Sequence, residues 1–167
     1  MRNYIKIANK YIEDVLSNKI PTCRYVKQAC QRQVKDLKRK SWAYHFDTTL
    51  ACRVCKFIEA LTHVKGPKAG ENIKLEPWQI FILTTVFGWV DKNNHRRFQQ
   101  VYIEVPRGNG KSALSSGVGL YMLCADNEKG ADVYSFATTR DQAKIVFGDA
   151  QAMARANQPL KDCFGLS

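Results

Sequence analysis

Residues 102–123 read YIEVPRGNGKSALSSGVGLYML, and how this stretch is read decides the fold. Its start is β-branched and aromatic, its middle holds Pro106, Gly108, Asn109 and Gly110, and from Lys111 onward apolar residues recur at helical spacing. That order predicts a strand, a tight turn and a helix. A phosphate group is bound by a turn whose backbone N–H groups converge before a helix N-terminus, with a Lys for the β/γ-phosphates and a hydroxyl for Mg2+. Gly108 and Gly110 supply the turn, Lys111 the cation and Ser112 the hydroxyl. The common pattern G-x-x-x-x-G-K-[ST] wants Gly at position 105, where this chain has Val105. Gly-Lys-Ser alone is weakly specific, and its place between strand and helix is what makes phosphate binding the expectation.

Working outward toward the C-terminus, ADVYSFA at residues 131–137 reads as a second strand. Thr139 and Gln142 have the spacing of a capping box and open a helix with Ala143, Val146/Phe147, Ala150 and Met153/Ala154 inward. Strand, helix, strand, helix implies an α/β fold with a parallel sheet and right-handed crossovers. Hydrolysis needs a carboxylate for the Mg2+ shell and a second group to orient water, normally after an apolar strand. The nearest look-alike, YMLCADNE at residues 121–128, puts Asp126 at the far end of the helix that leaves the loop. Beyond residue 137 only Asp141, Asp149 and Asp162 remain, none after an apolar strand. The sequence encodes nucleotide binding without visible catalytic acids.

Toward the N-terminus the periodicity is helical. Tyr4 to Leu16 reads as an amphipathic helix. Thr22 is a candidate cap for a second, with Cys23, Val26, Cys30, Val34 and Leu37 as its apolar face, and Asp47 for a third, with Leu50, Val54, Phe57/Ile58 and Leu61 inward and Gly66-Pro67 as its stop. Residues 66–75 read as a loop, Pro77 fits the first position of the helix EPWQIFILTTVF, and DKNNHRRFQQ reads as a polar turn. The organisation expected is a helical N-terminal region over 1–65 and a partial phosphate-loop ATPase domain over 66–167, its sheet incomplete.

The 45% apolar composition is that of a globular chain, and no window approaches the ~18 consecutive apolar residues of a membrane span. The expectation is a soluble, non-secreted protein without membrane contact. The net charge of +11 is uneven: residues 19–40 carry eight basic residues against Asp36 alone. Such density suits a polyanion or, equally, a solvated helix face. Of Cys23, Cys30, Cys52, Cys55, Cys124 and Cys163, the pair Cys52/Cys55 forms C-x-x-C. Four zinc ligands usually come as two close pairs, and six residues separate Cys23 from Cys30, so buried thiols are expected in place of a metal.

Several motifs in order resemble those of the large terminase subunit, the ATP-driven DNA-packaging motor of tailed phages. LEPWQIFI (75–82) resembles the family's Gln motif, VYIEVPRGNGKS (101–112) its deviant phosphate loop, and GADVYSFATTRDQAKIVFGDAQAM (130–153) its next strand and helix. YIEDVLSNKI (11–20) and ACQRQVKDLKR (29–39) are similar to its N-terminal region, and lack of Gly at 105 is typical of it. The resemblance implies ATP and Mg2+ as cofactors. Gln79 would bind adenine through an amide that donates and accepts, with Trp78 beside the base or in the core. Arg107 would contact the γ-phosphate or sense its loss, with the bidentate geometry that Lys lacks, acting with Lys111 in catalysis. Gly108, Asn109 and Gly110 would cradle the phosphates, and Ser112 would meet Mg2+. Arg140 is an exposed residue of a first helical turn in this reading.

Implied partners are double-stranded DNA, the small terminase subunit and the portal protein, with a homo-oligomeric ring in the full-length motor, in the host cytoplasm. Complete family members continue into an Asp-Glu strand, a coupling segment and a nuclease domain, none of which is here. Neither turnover nor cleavage is therefore credited to these residues alone. A truncated, prophage-remnant module that binds nucleotide or DNA without catalysis, and a fragment of a helicase-like phosphate-loop ATPase, are the alternatives.

Overall fold

The computed structural model describes residues 2–164, with the side chains of Cys163 and Phe164 outside the description. The chain divides into two compact units, one of Met1–Cys55 with Leu75–Tyr102 and the other of Lys56–Lys74 with Ile103–Ser167. It is a mixed chain, mostly helical.

In the first unit, α1 (Tyr4–Leu16) starts at Asn3, whose side chain accepts the Lys6 N–H at 2.9 Å. Tyr4, Ala8, Ile12 and Val15 form its buried line, at the three- and four-residue spacing of one helix face. α2 (Arg24–Leu37) and α4 (Pro77–Gly88) both pack on α1. Ile12, Val15, Cys30 and Phe81 make the centre, with Val26, Val34 and Ile82 against it. α4 is apolar almost all round and buries Ile80, Phe81, Leu83 and Phe87, as a helix without a polar face must. Of its two buried hydroxyls, Thr84 donates to the Ile80 carbonyl at 2.7 Å, whereas that of Thr85 has no hydrogen-bond partner.

α3 (Thr48–Glu59) opens where Asp47 Oδ1 accepts from the N–H groups of Thr49 and Leu50 at 2.7 and 3.0 Å. Just before it, β1 (Tyr44–Phe46) pairs antiparallel with β2 (Trp89–Asp91), Phe46 opposite Trp89. β2 then reverses through Asn94, held at φ 64°, so that the Arg97 N–H reaches the Trp89 carbonyl at 3.0 Å. α2 is tied to this hairpin by polar groups. Trp89 Nε1 donates to Gln33 Oε1 at 2.7 Å, and Arg97 Nη1 to Asp36 Oδ2 at 2.8 Å, with the guanidinium 4.3 Å from the Trp42 ring centre.

The second unit holds the tail of α3, α5 (Lys111–Cys124), α6 (Arg140–Ala156) and α7 (Gln158–Phe164). Residues 61–73 double back on themselves, Ile73 N–H to the Leu61 carbonyl and His63 N–H to the Glu71 carbonyl, each at 2.8 Å. α5 lies on α6, and the Ser116 hydroxyl donates to the Val146 carbonyl at 2.8 Å. Gly117 lets α5 approach Ile58, where a Cβ would stand 3.2 Å from the side chain. Lys65 Nζ lies 2.5 Å from Oδ1 of the buried Asp149, without the alignment of a hydrogen bond.

Several expectations are corrected. The only sheet among the described residues is the antiparallel pair β1–β2, and residues 101–106 and 131–137 carry no strand. A parallel ladder is stable when both its faces are covered, whereas Tyr102, Tyr134 and Phe136 are 86%, 72% and 88% exposed. Thr22 does not cap α2: Cys23 stands at the N-cap and the buried Thr22 hydroxyl has no partner. Leu37 and Cys23, expected inward, are exposed, while Gln33 and Asp36 are buried in their stead because Trp89 and Arg97 satisfy them. α3 ends at Glu59, well before Gly66. Phe147 is exposed and Asp149 takes the inward place on α6.

Cys30 and Cys55 are buried, and burial pushes the Cys30 thiol up to about 11, whereas Cys52 and Cys124 are half-buried. The thiol of Cys163 lies outside the described residues. No helix among the described residues is long and apolar enough to cross a membrane.

Gly88 closes α4 against its neighbours: a Cβ there would stand 2.6 Å from Phe46 Cε2 and 2.9 Å from Ala51 Cβ. Gly88→Ala is expected to destabilise this unit by about 1–3 kcal/mol through overpacking. Urea unfolding followed by tryptophan fluorescence reads the effect, since Trp42, Trp78 and Trp89 all lie in this unit.

Candidate functional site

The segment ending at Val105 turns into α5 through five residues, and the turn is made by glycine backbone conformation. Gly108 holds φ 84° and Gly110, the N-cap of α5, holds φ 72° and ψ 19°. Residues with a Cβ adopt this left-handed region at a cost of roughly 1–2 kcal/mol. Asn109 clamps the turn, its Nδ2 donating to the carbonyls of Pro106 at 3.2 Å and Arg107 at 3.4 Å.

Glycine as N-cap has a second effect. No side chain caps α5, and its first backbone bond runs from the Leu114 N–H to the Gly110 carbonyl at 2.9 Å. The N–H groups of a helix's first turn have no intrahelical acceptor, and they carry the positive end of the helix dipole. Residues 106–112 are exposed throughout, so these donors open to solvent with Arg107 and Lys111 beside them. Lys111 Nζ donates to the Val105 carbonyl, bending back over the turn it follows. The arrangement is a ready anion site: a cradle of backbone donors, two cations and the exposed Ser112 hydroxyl.

The structure brings Arg107, Gly108, Asn109, Gly110, Lys111 and Ser112 together in this one turn of the second unit. Gln79 belongs to the first unit, where it is buried and its Oε1 accepts the Glu76 N–H at 2.9 Å, closing the first turn of α4. Trp78 beside it is half-buried. Arg140 is exposed in the first turn of α6, whose cap is Thr139 accepting the Gln142 N–H at 3.3 Å. The Gln142 amide oxygen accepts instead from the Thr138 hydroxyl at 2.7 Å. The Val105 carbonyl is not legible in the sequence as the partner of Lys111, because a backbone acceptor leaves no residue-type signal. Among the described residues no group of three or more His, Cys, Asp or Glu could hold a metal, so Ser112 is the one candidate ligand at the loop. It suits a Mg2+ that arrives with the phosphates and takes most of its ligands from them and from water.

Comparison with known proteins gives this turn its family. Residues 77–162 match the family described as terminase large subunit, ATPase domain, and that span includes α4, the loop, α5 and α6. The chain belongs to that family. It is similar to the terminase large subunit of Enterobacteria phage HK97, with 29% identity over 112 residues, 66% of this chain and 21% of that protein. It thus spans about a fifth of the length of the curated relative that it matches. No solved structure matches it.

Gly110→Ala puts a Cβ on the left-handed N-cap, so the first turn of α5 is expected to fray. Amide hydrogen exchange at residues 114–117, the first N–H groups of α5 with acceptors inside the helix, should then speed up several-fold, while exchange in α1 stays as it was.

Proposed function

We propose that this chain is the ATP-binding portion of a DNA-packaging motor, in which ATP hydrolysis drives double-stranded DNA into a procapsid. The observation that carries the proposal is the αL Gly110 capping α5 at Gly-Lys-Ser, inside the span that matches a terminase ATPase domain. Lys111 leaves the Val105 carbonyl for the β/γ-phosphates, Arg107 takes the γ-phosphate with two parallel N–H donors, and the Gly108–Gly110 backbone surrounds the chain of phosphates. Ser112 contributes its hydroxyl to Mg2+. Gln79 reads adenine, its amide nitrogen donating while its oxygen continues to accept from Glu76 N–H. In this proposal residues 66–167 belong to a phosphate-loop ATPase domain, with 1–65 a helical N-terminal region. Segments 101–106 and 131–137 take their places in the parallel sheet of the assembled domain, which covers Tyr134 and Phe136.

Turnover is assigned to the whole protein, not to these residues. Asp141 lies in the first turn of α6 and Asp149 is engaged by Lys65, so neither stands at the end of an apolar strand where a Mg2+ carboxylate is needed. The motor, working in the host cytoplasm as a homo-oligomeric ring, would meet duplex DNA, the small terminase subunit and the portal protein.

Isothermal titration with Mg-ATP tests the site. Lys111→Ala is expected to abolish saturable binding, and unchanged affinity would remove the loop from the proposal. Gln79→Glu keeps an oxygen for the Glu76 N–H but loses the amide donor. It should therefore cut the preference for ATP over GTP about tenfold while phosphate affinity persists; an equal loss for both nucleotides would argue against adenine reading.

A further inference from the structure

The basic block of residues 19–40 lies outside everything assigned above, and the structure resolves which of its charges act together. Arg24, Gln28, Gln31, Lys35 and Lys38 follow one another by three and four residues along α2 and its C-cap, and all are exposed. At 100° per residue they form one line, about 21 Å long at 1.5 Å per residue. Arg32 flanks that line, and the exposed Arg39 and Lys40 follow it in the chain just past the end of α2.

The block's single acid is absent from this line. The Asp36 side chain is 6% exposed and pairs with Arg97 at 2.8 Å and, from within the block, with Arg39 at 3.9 Å. Three of the guanidinium groups are also held in place by rings, Arg24 at 4.8 Å from Tyr25, Arg32 at 5.0 Å from Phe98 and Arg39 at 4.5 Å from Trp42. A stacked guanidinium loses less freedom when it meets a phosphate, because its plane is already oriented.

We infer that this line of α2 is a contact surface for the phosphate backbone of duplex DNA, with Arg24, Lys35 and Lys38 neutralising phosphates and Gln28 and Gln31 hydrogen-bonding the same strand. Phosphates recur densely enough along a duplex to meet cations spaced by helical turns. A membrane surface fits less well: an amphipathic helix lies on lipid by its apolar face, and here Val26, Cys30 and Val34 are packed into the core of the unit. The choice of duplex DNA among polyanions rests on the packaging proposal, whereas the surface itself rests on the charge layout alone.

Fluorescence anisotropy of the full chain with a labelled 20-base-pair duplex, at a series of KCl concentrations, tests it. The triple variant Arg24→Gln, Lys35→Gln, Lys38→Gln is compared with Lys68→Gln, Lys74→Gln, Lys129→Gln, which removes the same charge from exposed positions elsewhere. Glutamine is a good helix former, and circular dichroism checks that α2 survives. The log–log salt slope should fall by about 0.9 for each phosphate that the first variant no longer neutralises, and by much less in the second. Lys35→Gln alone should lower it by about 0.9. Equal losses in both triple variants, or an unchanged slope in the first, would overturn the surface. So would a first variant that loses binding to phosphatidylserine vesicles yet keeps its affinity for the duplex. Mg-ATP titration of the same variant separates the two proposals, since a failure here leaves Lys111-dependent nucleotide binding in place.

Discussion

The left-handed backbone at Gly110 is the constraint on which the second unit turns. The chain can enter α5 within five residues of Val105 because Gly108 and Gly110 adopt φ values of 84° and 72°. That same conformation leaves the first turn of α5 without a side-chain cap. A Ser or Asp at this position would fill the cradle with its own oxygen, since that is how such residues satisfy first-turn donors. Glycine leaves the donors facing solvent, and Lys111 meanwhile turns to the nearest carbonyl. The local fold and the capacity to bind an anion are therefore one feature. Behind it, Ser116 and Gly117 fix α5 to its neighbours, Ser116 by a hydrogen bond to α6 and Gly117 by its close approach to Ile58.

The first unit depends on polar groups that are buried in pairs. Gln33 and Asp36 sit on the inward side of α2, where leaving either without a partner would cost more than the bonds themselves contribute. Trp89 and Arg97 supply those partners from the hairpin, and both aromatic and charged contacts converge on Trp42. The consequence reaches the surface. With Asp36 withdrawn into its pair, the outward line of α2 carries cations and glutamines without an opposing carboxylate.

Much of this is legible in the residues themselves. Helices α1, α4, α5 and α6 follow from apolar spacing, while Asp47, Pro77 and Thr139 mark the starts of α3, α4 and α6 for reasons of hydrogen bonding and fixed φ. The β1–β2 pair leaves no such trace, because three-residue strands carry too little alternation to be seen. α7 follows α6 after a single residue, Asn157, whose side chain caps it and also donates to Ala60, a contact 97 residues away in sequence. The inward turn of Gln33 and Asp36 is hidden for a related reason: their partners lie 56 and 61 positions away.

By itself the sequence determined the glycine turn before α5, the family and the helices around that turn, because glycine φ, capping and helical spacing are local properties that residue type encodes directly. Tertiary structure alone decided which polar residues go inside, which cations share a face, and that Tyr44–Phe46 pairs with Trp89–Asp91. Those outcomes depend on whether a distant group arrives to complete a hydrogen bond, an ion pair or a ladder, and no residue carries that information in its own neighbourhood.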